Sequence, residues 1–201
     1  MLYVRDLYKK DYRAFVSLPV RRKNVIEKYS VFSQRASLKH YLQEDFHEKC
    51  IYCGWSSSTY GGEVFHIEHV KSRNSYPELE DDYNNLALSC SICNTTKNET
   101  ELPGELDPTS SKFQRLFYRN KMGAIVVNND LTDSEKELSN QCLKIIGLYK
   151  ELYKLDYIYE SLKLIQSKLC LTRESSPLIY DILEILEFID KNYKRRTRTK
   201  I

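Results

Sequence analysis

The chain has 201 residues, a formal net charge of +3, and 41% hydrophobic and 29% charged residues, the balance of an ordinary soluble globular protein. No apolar run approaches a membrane span, and Met1-Leu2-Tyr3-Val4-Arg5-Asp6 lacks the apolar core of a signal peptide, so the expectation is a cytoplasmic protein with no membrane role. The small net charge excludes a general polycation, leaving nucleic-acid contact to local patches such as Arg21-Arg22-Lys23 and the run Lys194-Arg195-Arg196-Thr197-Arg198-Thr199-Lys200.

The first 49 residues are tyrosine-rich and basic. Near their end Leu38, Tyr41, Leu42 and Phe46 share one face of a helix that Ser33 or Ser37 would cap. This helix leads into Cys50-Ile51-Tyr52-Cys53. The polar stretch Ser56 to Gly62 reads as a loop, and Glu63 to Val70 as a strand. Lys71 to Asn85 is a long polar loop containing Pro77, and Leu86 to Ser89 is a short partner strand. After Cys93 a short helix begins, with Pro103-Gly104 as its expected stop. Phe113, Leu116 and Phe117 then lead to a hairpin through Asn120-Lys121-Met122-Gly123 into Ala124 to Val127. Thr132 to Glu135 starts a helical stretch whose apolar residues, from Leu138 to Leu169, recur at three and four positions. That stretch is one long helix, or two broken near Gly147 or Asp156. A last helix covers about Ser176 to Tyr193, with Ile179, Ile182, Leu183, Leu186, Phe188 and Ile189 as its apolar positions.

Six cysteines without a signal peptide argue against disulfides. Cys142 and Cys170 fall at apolar positions and read as small core residues. The other four form two Cys-x-x-Cys pairs, Cys50/Cys53 and Cys90/Cys93, which suit a closed tetrahedral zinc site with a structural task. The 36 residues between the pairs are enough for a β-hairpin and a loop. Inside that interval lie Phe65-His66-Ile67-Glu68-His69-Val70 and Asn84-Asn85-Leu86, and Cys90-Ser91-Ile92-Cys93-Asn94-Thr95-Thr96-Lys97 closes it. A carboxylate, an imidazole and amides beside a metal-held frame are the groups that metal-dependent phosphodiester hydrolysis uses.

On these residues the segment resembles the HNH (ββα-metal) nuclease family in its zinc-knuckle, McrA-like form, over about a quarter of the chain. The resemblance implies an α+β protein with a ββα-metal core and two zinc knuckles, flanked by an N-terminal helical arm and a mainly helical C-terminal region. The corresponding division is 1–49, 50–105 and 106–201. It implies His69 as general base, Glu68 and Asn94 as ligands of a catalytic Mg²⁺ or Mn²⁺, and Asn85 as the amide that fixes the loop beside His69. Glu68 stands where Asp is commoner in the family, and Asn94 where the last letter of HNH would be His.

Lys71, Arg73 and Lys97 are the candidate phosphate contacts. His66, two residues before Glu68 on the same strand face, is either a further contact or a structural histidine. Asn94, at the start of its helix, would share that site with a phosphate.

DNA is the expected substrate, ahead of RNA. A looser resemblance, carried by Tyr76-Pro77-Glu78-Leu79, Asp82-Tyr83-Asn84-Asn85-Leu86 and Leu106-Asp107-Pro108, is to the HNH subunits of Septu and retron-type bacterial anti-phage systems. It implies an ATPase protein partner docked on the C-terminal helices. The rival from another class is a non-catalytic zinc module that binds nucleic acid or protein. Such a module needs the four cysteines but not Glu68, His69, Asn85 and Asn94 in register.

Overall fold

The computed structural model describes residues 17–57, 64–120, 122–168 and 176–192. The basic run at 194–200, Cys170, and most of the loop expected at 56–62 lie outside them.

Leu38, Leu42 and Phe46 recur every four residues, so a helix there presents one apolar face, and all three are fully buried. Helix α1 (Arg35–Asp45) enters from a 3-10 turn at Phe32–Gln34. Its N-cap is Gln34, which makes no side-chain cap bond, and not Ser33 or Ser37. Asp45 at its other end accepts from Arg22 and from the Tyr83 hydroxyl. Arg21 donates to the Leu86 carbonyl and lies over the Phe46 ring. Arg21 thus ties the arm to the Leu86 backbone, and Arg22 ties the segment ahead of α1 to that helix.

Strands β1 (Phe65–His69) and β2 (Leu86–Cys90) pair antiparallel, with Phe65 opposite Cys90 and His69 opposite Leu86. Every residue of β2 is buried, because α1 packs against the sheet and α2 (Ser91–Lys97) follows directly from it. The first cysteine turn is pinned to β2, where the Ile51 N–H donates to the Leu88 carbonyl at 2.9 Å. Gly54 closes that turn at φ +68°, a conformation that favours glycine. Helix α2 begins at Ser91, ahead of Cys93, and stops at Lys97 rather than at Pro103-Gly104. Asn98 breaks it with a positive φ of +49°, which Asn tolerates better than most residues.

Ser110 caps the short α3 (Ser111–Arg115), which leads into the hairpin of β3 (Phe117–Arg119) and β4 (Ile125–Val127). A capping box of Thr132 and Glu135 starts α4 (Asp133–Ile146). Of the two expected break points the chain uses Gly147, at φ +76°, while Asp156 sits inside α5 (Leu152–Lys168). The corner needs glycine for a second reason. A Cβ on Gly147 would come 2.8 Å from the Thr96 side chain of α2.

One buried core runs without a break from Leu38 to Tyr153. Helix α6 (Ser176–Asn192) packs on α5 over a smaller cluster of Tyr159, Ile182, Leu186 and Ile189. Two apolar positions expected inside, Leu183 and Phe188, are exposed. Among the described residues no helix is long and apolar enough to cross a membrane.

Candidate metal centre and catalytic cleft

The two cysteine pairs meet because one leads into the turn pinned to β2 and the other closes β2 and opens α2. The sulfurs of Cys50, Cys53, Cys90 and Cys93 all lie within 4.8 Å of one another, and all four residues are buried free thiols. Cys53 and Cys90 are 3.8 Å apart. Tetrahedral zinc–thiolate bonds of about 2.3 Å require a sulfur–sulfur separation of about 3.8 Å, so the cluster fits zinc. Burial pushes the Cys53 and Cys93 thiols well up; a bound cation would hold the thiolates together. The Cys93 sulfur also meets the Tyr153 hydroxyl of α5 at 3.2 Å. Burial keeps that phenol protonated and able to donate.

Beside this cage a cleft of about 310 Å³ is lined by Glu68, His69, Arg73, Asn94, Tyr29 and Glu99, among others. His69 is the last residue of β1, so the backbone is free to turn there and both His69 and its neighbour Glu68 reach the cleft. His69 Nε2 lies 3.0 Å from the Glu80 carbonyl. A carbonyl can only accept, so Nε2 carries the hydrogen and Nδ1 keeps its lone pair. Burial moves the imidazole's pKa below 6.5, although the Glu80 carbonyl pulls the other way. Tyr29 packs edge-on against the ring, with centroids 4.5 Å apart and an angle of 88°.

Glu68 is 3% exposed. Its Oε1 accepts from the Tyr52 hydroxyl at 2.9 Å and from Lys97 Nζ at 2.9 Å. Burial raises the pKa of this carboxylate, while the Lys97 ammonium opposes the rise. Tyr52 is pushed well above the tyrosine range by burial and by the same carboxylate, so it remains a donor. Asn94 lies in the second turn of α2, and its side-chain amide makes no hydrogen bond among the described residues. A buried carboxylate and an unengaged amide oxygen on one cleft wall are donors that suit a hard divalent cation.

Asn85 is buried, and its amide bridges the loop between the strands. Its oxygen accepts from the Lys71 N–H at 2.8 Å, and its nitrogen donates to the carbonyls of Lys71 at 2.9 Å and Leu79 at 3.3 Å. Asn84 is exposed, and among the described residues it bonds with Asp82, in a local turn.

The structure separates the three expected phosphate contacts. Arg73 lines the cleft, half-exposed, with Glu80 3.5 Å away. Lys71 lies over the Tyr76 ring and lines a different cleft with Asp82, Glu101 and Asp107. Lys97 is fully buried against Glu68, out of reach of an outside phosphate. His66 is exposed and does not line the His69 cleft. Three neighbours of the site are not among the expected site residues: Tyr29 from the arm, Tyr52 inside the first cysteine pair, and Tyr153 from α5. Tyr52 alone had a local clue, its place between the metal-site thiols.

Residues 50–100 match the family model for HNH endonuclease. The matched quarter of the chain holds all four clustered cysteines together with Glu68, His69, Asn85 and Asn94. No curated protein matches the chain. The protein is therefore a mixed helical and small-sheet chain with an HNH endonuclease domain and four cysteines placed to hold a metal, which supports a nuclease-type function.

Proposed function

We propose that the protein is a metal-dependent endonuclease that hydrolyses phosphodiester bonds of DNA in preference to RNA. The observation that carries this reading is the 3.0 Å contact between His69 Nε2 and the Glu80 carbonyl, which assigns the ring hydrogen to Nε2 and leaves Nδ1 to act as the base beside Glu68 and Asn94. His69 removes a proton from water, the oxygen adds in line to phosphorus, and the bond to the 3′-oxygen breaks, that oxygen taking a proton from solvent, which gives 5′-phosphate and 3′-hydroxyl ends. Glu68 and Asn94 would hold Mg²⁺ or Mn²⁺, which would supply positive charge to offset the negative charge that develops in the reaction.

Tyr52 and Lys97 hold the Glu68 carboxylate in place from behind, at 2.9 Å each. Asn85 fixes the loop that carries the Glu80 carbonyl, and so the orientation of His69. Arg73 is the cation best placed for a substrate phosphate. Cys50, Cys53, Cys90 and Cys93 would hold zinc as a structural frame. The strand–strand–helix order of β1, β2 and α2 supports a ββα-metal core. A setting in bacterial anti-phage defence beside an ATPase, docked on the C-terminal helices, rests on the looser resemblance alone.

The test is cleavage of plasmid and linear DNA with Mg²⁺ or Mn²⁺ by the wild type and by His69→Ala. Cutting that requires the cation and is lost in the variant, at unchanged zinc content and fold, supports the reading. Equal cutting by the variant removes His69 from the mechanism.

A further inference from the structure

The cleft is continued outward by a ladder of flat side chains that begins in the arm, outside the 50–100 segment. Tyr29 stands edge-on to His69. The Arg35 guanidinium lies 4.2 Å from the Tyr29 ring centre and 5.6 Å from that of Phe32, and Arg73 lies 5.7 Å from Tyr29 on the cleft side. At the outer end Phe32 is 82% exposed. Single exposed aromatics are common, but this one ends a continuous row of rings and guanidinium groups that reaches the histidine.

The ladder is also held still. The Ser30 N–H and hydroxyl both donate to the Asp81 carboxylate at 2.8 Å, which fastens the segment to the loop carrying Glu80. Arg35 Nε donates to the Tyr29 carbonyl at 2.7 Å, and the Lys28 N–H donates to Gln34. The acidic groups alongside are engaged, Asp81 by Ser30 and Glu80 by Arg73. Phe32 is thus presented on a braced turn next to the arginines.

We infer that Tyr29, Phe32 and Arg35 form a nucleobase-stacking platform, and that the substrate is nucleic acid with unpaired bases beside the scissile phosphate. The inference rests on the hydrolytic reading of the His69 cleft. Aromatic rings and guanidinium planes bind the flat faces of bases, and arginine adds attraction for phosphate. In a duplex those faces are already covered by neighbouring base pairs. A ring as open as Phe32 can therefore stack only on a base that is single-stranded, bulged or at an end. A protein partner would bury Phe32 equally well, but it gives no reason for the row of cations and rings to run into the cleft.

The test uses the full-length zinc-loaded protein with His69→Ala, so that substrate survives. The probes are a fluorescein-labelled single-stranded 20-mer of DNA and a relaxed, covalently closed circular duplex, which has no ends. Phe32→Ala is expected to weaken single-strand binding about tenfold, within the range of one lost base–aromatic stack, and to leave duplex binding unchanged. Phe32→Trp is expected to restore it. With His69 present, the loss from Phe32→Ala is expected in KM for the single strand. Equal affinities of Phe32→Ala and its parent for both probes would overturn the platform, as would a loss confined to the duplex. If the single strand binds in a Phe32-dependent way and nothing is cut, the platform stands and the hydrolytic reading fails. If cutting depends on His69 and ignores Phe32, the reverse holds.

Discussion

Lys97 Nζ lies 2.9 Å from Glu68 Oε1, with the two side chains 0% and 4% exposed. A lysine this deeply buried is stable only beside a charge of opposite sign, and Glu68 is that charge. The same ammonium approaches the His69 carbonyl at 3.4 Å and the Asn98 carbonyl at 3.5 Å. It therefore ties the end of β1 to the end of α2, the two elements that carry the proposed cation ligands.

Removing one member of that pair leaves the other buried and uncompensated. Lys97→Ala is expected to cost about 3–5 kcal/mol, read by urea denaturation of the zinc-loaded protein. Lys97→Met combined with Glu68→Gln, which removes both charges, is expected to cost less than Lys97→Ala. Equal stability of Lys97→Ala and wild type would mean that the ion pair does not form in solution.

The two neighbouring asparagines are expected to behave differently. Asn85→Ala deletes three hydrogen bonds inside the loop and should destabilise by roughly 2–3 kcal/mol, with a fall in cleavage because the Glu80 carbonyl shifts against His69. Asn84→Ala removes only a local bond to Asp82 and should change both by little. Thermal denaturation and single-turnover cleavage of the two variants, side by side, check this.

The pH profile follows from the environment of His69. Burial lowers its pKa from 6.5, so the neutral, proton-accepting form persists to lower pH than a free imidazole allows. On the expected profile kcat/KM rises with pH through an apparent pKa below 6.5 and is level near neutrality. An acid limb centred well above 6.5 would mean that another group supplies the base.

The four-cysteine cluster has a support outside the matched segment. Tyr153→Phe removes the hydroxyl that meets Cys93 while keeping the buried ring. Loss of such an outer partner is expected to speed zinc transfer to a chromophoric chelator by about tenfold. Stripping the zinc from the wild type is expected to unfold the segment around β1, β2 and α2, seen as loss of far-ultraviolet dichroism. An unchanged transfer rate in Tyr153→Phe would restrict that residue to packing.

The sequence by itself determined the features written in short-range spacing. The paired cysteines, the Glu68-His69 step, the capping box at Thr132 and the apolar stripe of α1 each depend on residues within a few positions of one another. Local geometry is enough to read them. The stop of α2 was less legible, because Asn98 is a weaker helix breaker than Pro103.

Tertiary structure decided which distant residues meet. Lys97 and Lys71 are both candidate phosphate contacts in the sequence, Lys97 the better one by its Cys-Asn-x-x-Lys spacing, yet Lys97 is sealed under Glu68 and Lys71 lines a separate cleft. Tyr29 reaches His69 across forty residues, and Tyr153 reaches Cys93 across sixty. Periodicity assigns a side chain to a face of its own element. Only packing assigns that face a neighbour, because burial has no direction along the chain and any segment that fills the space will serve.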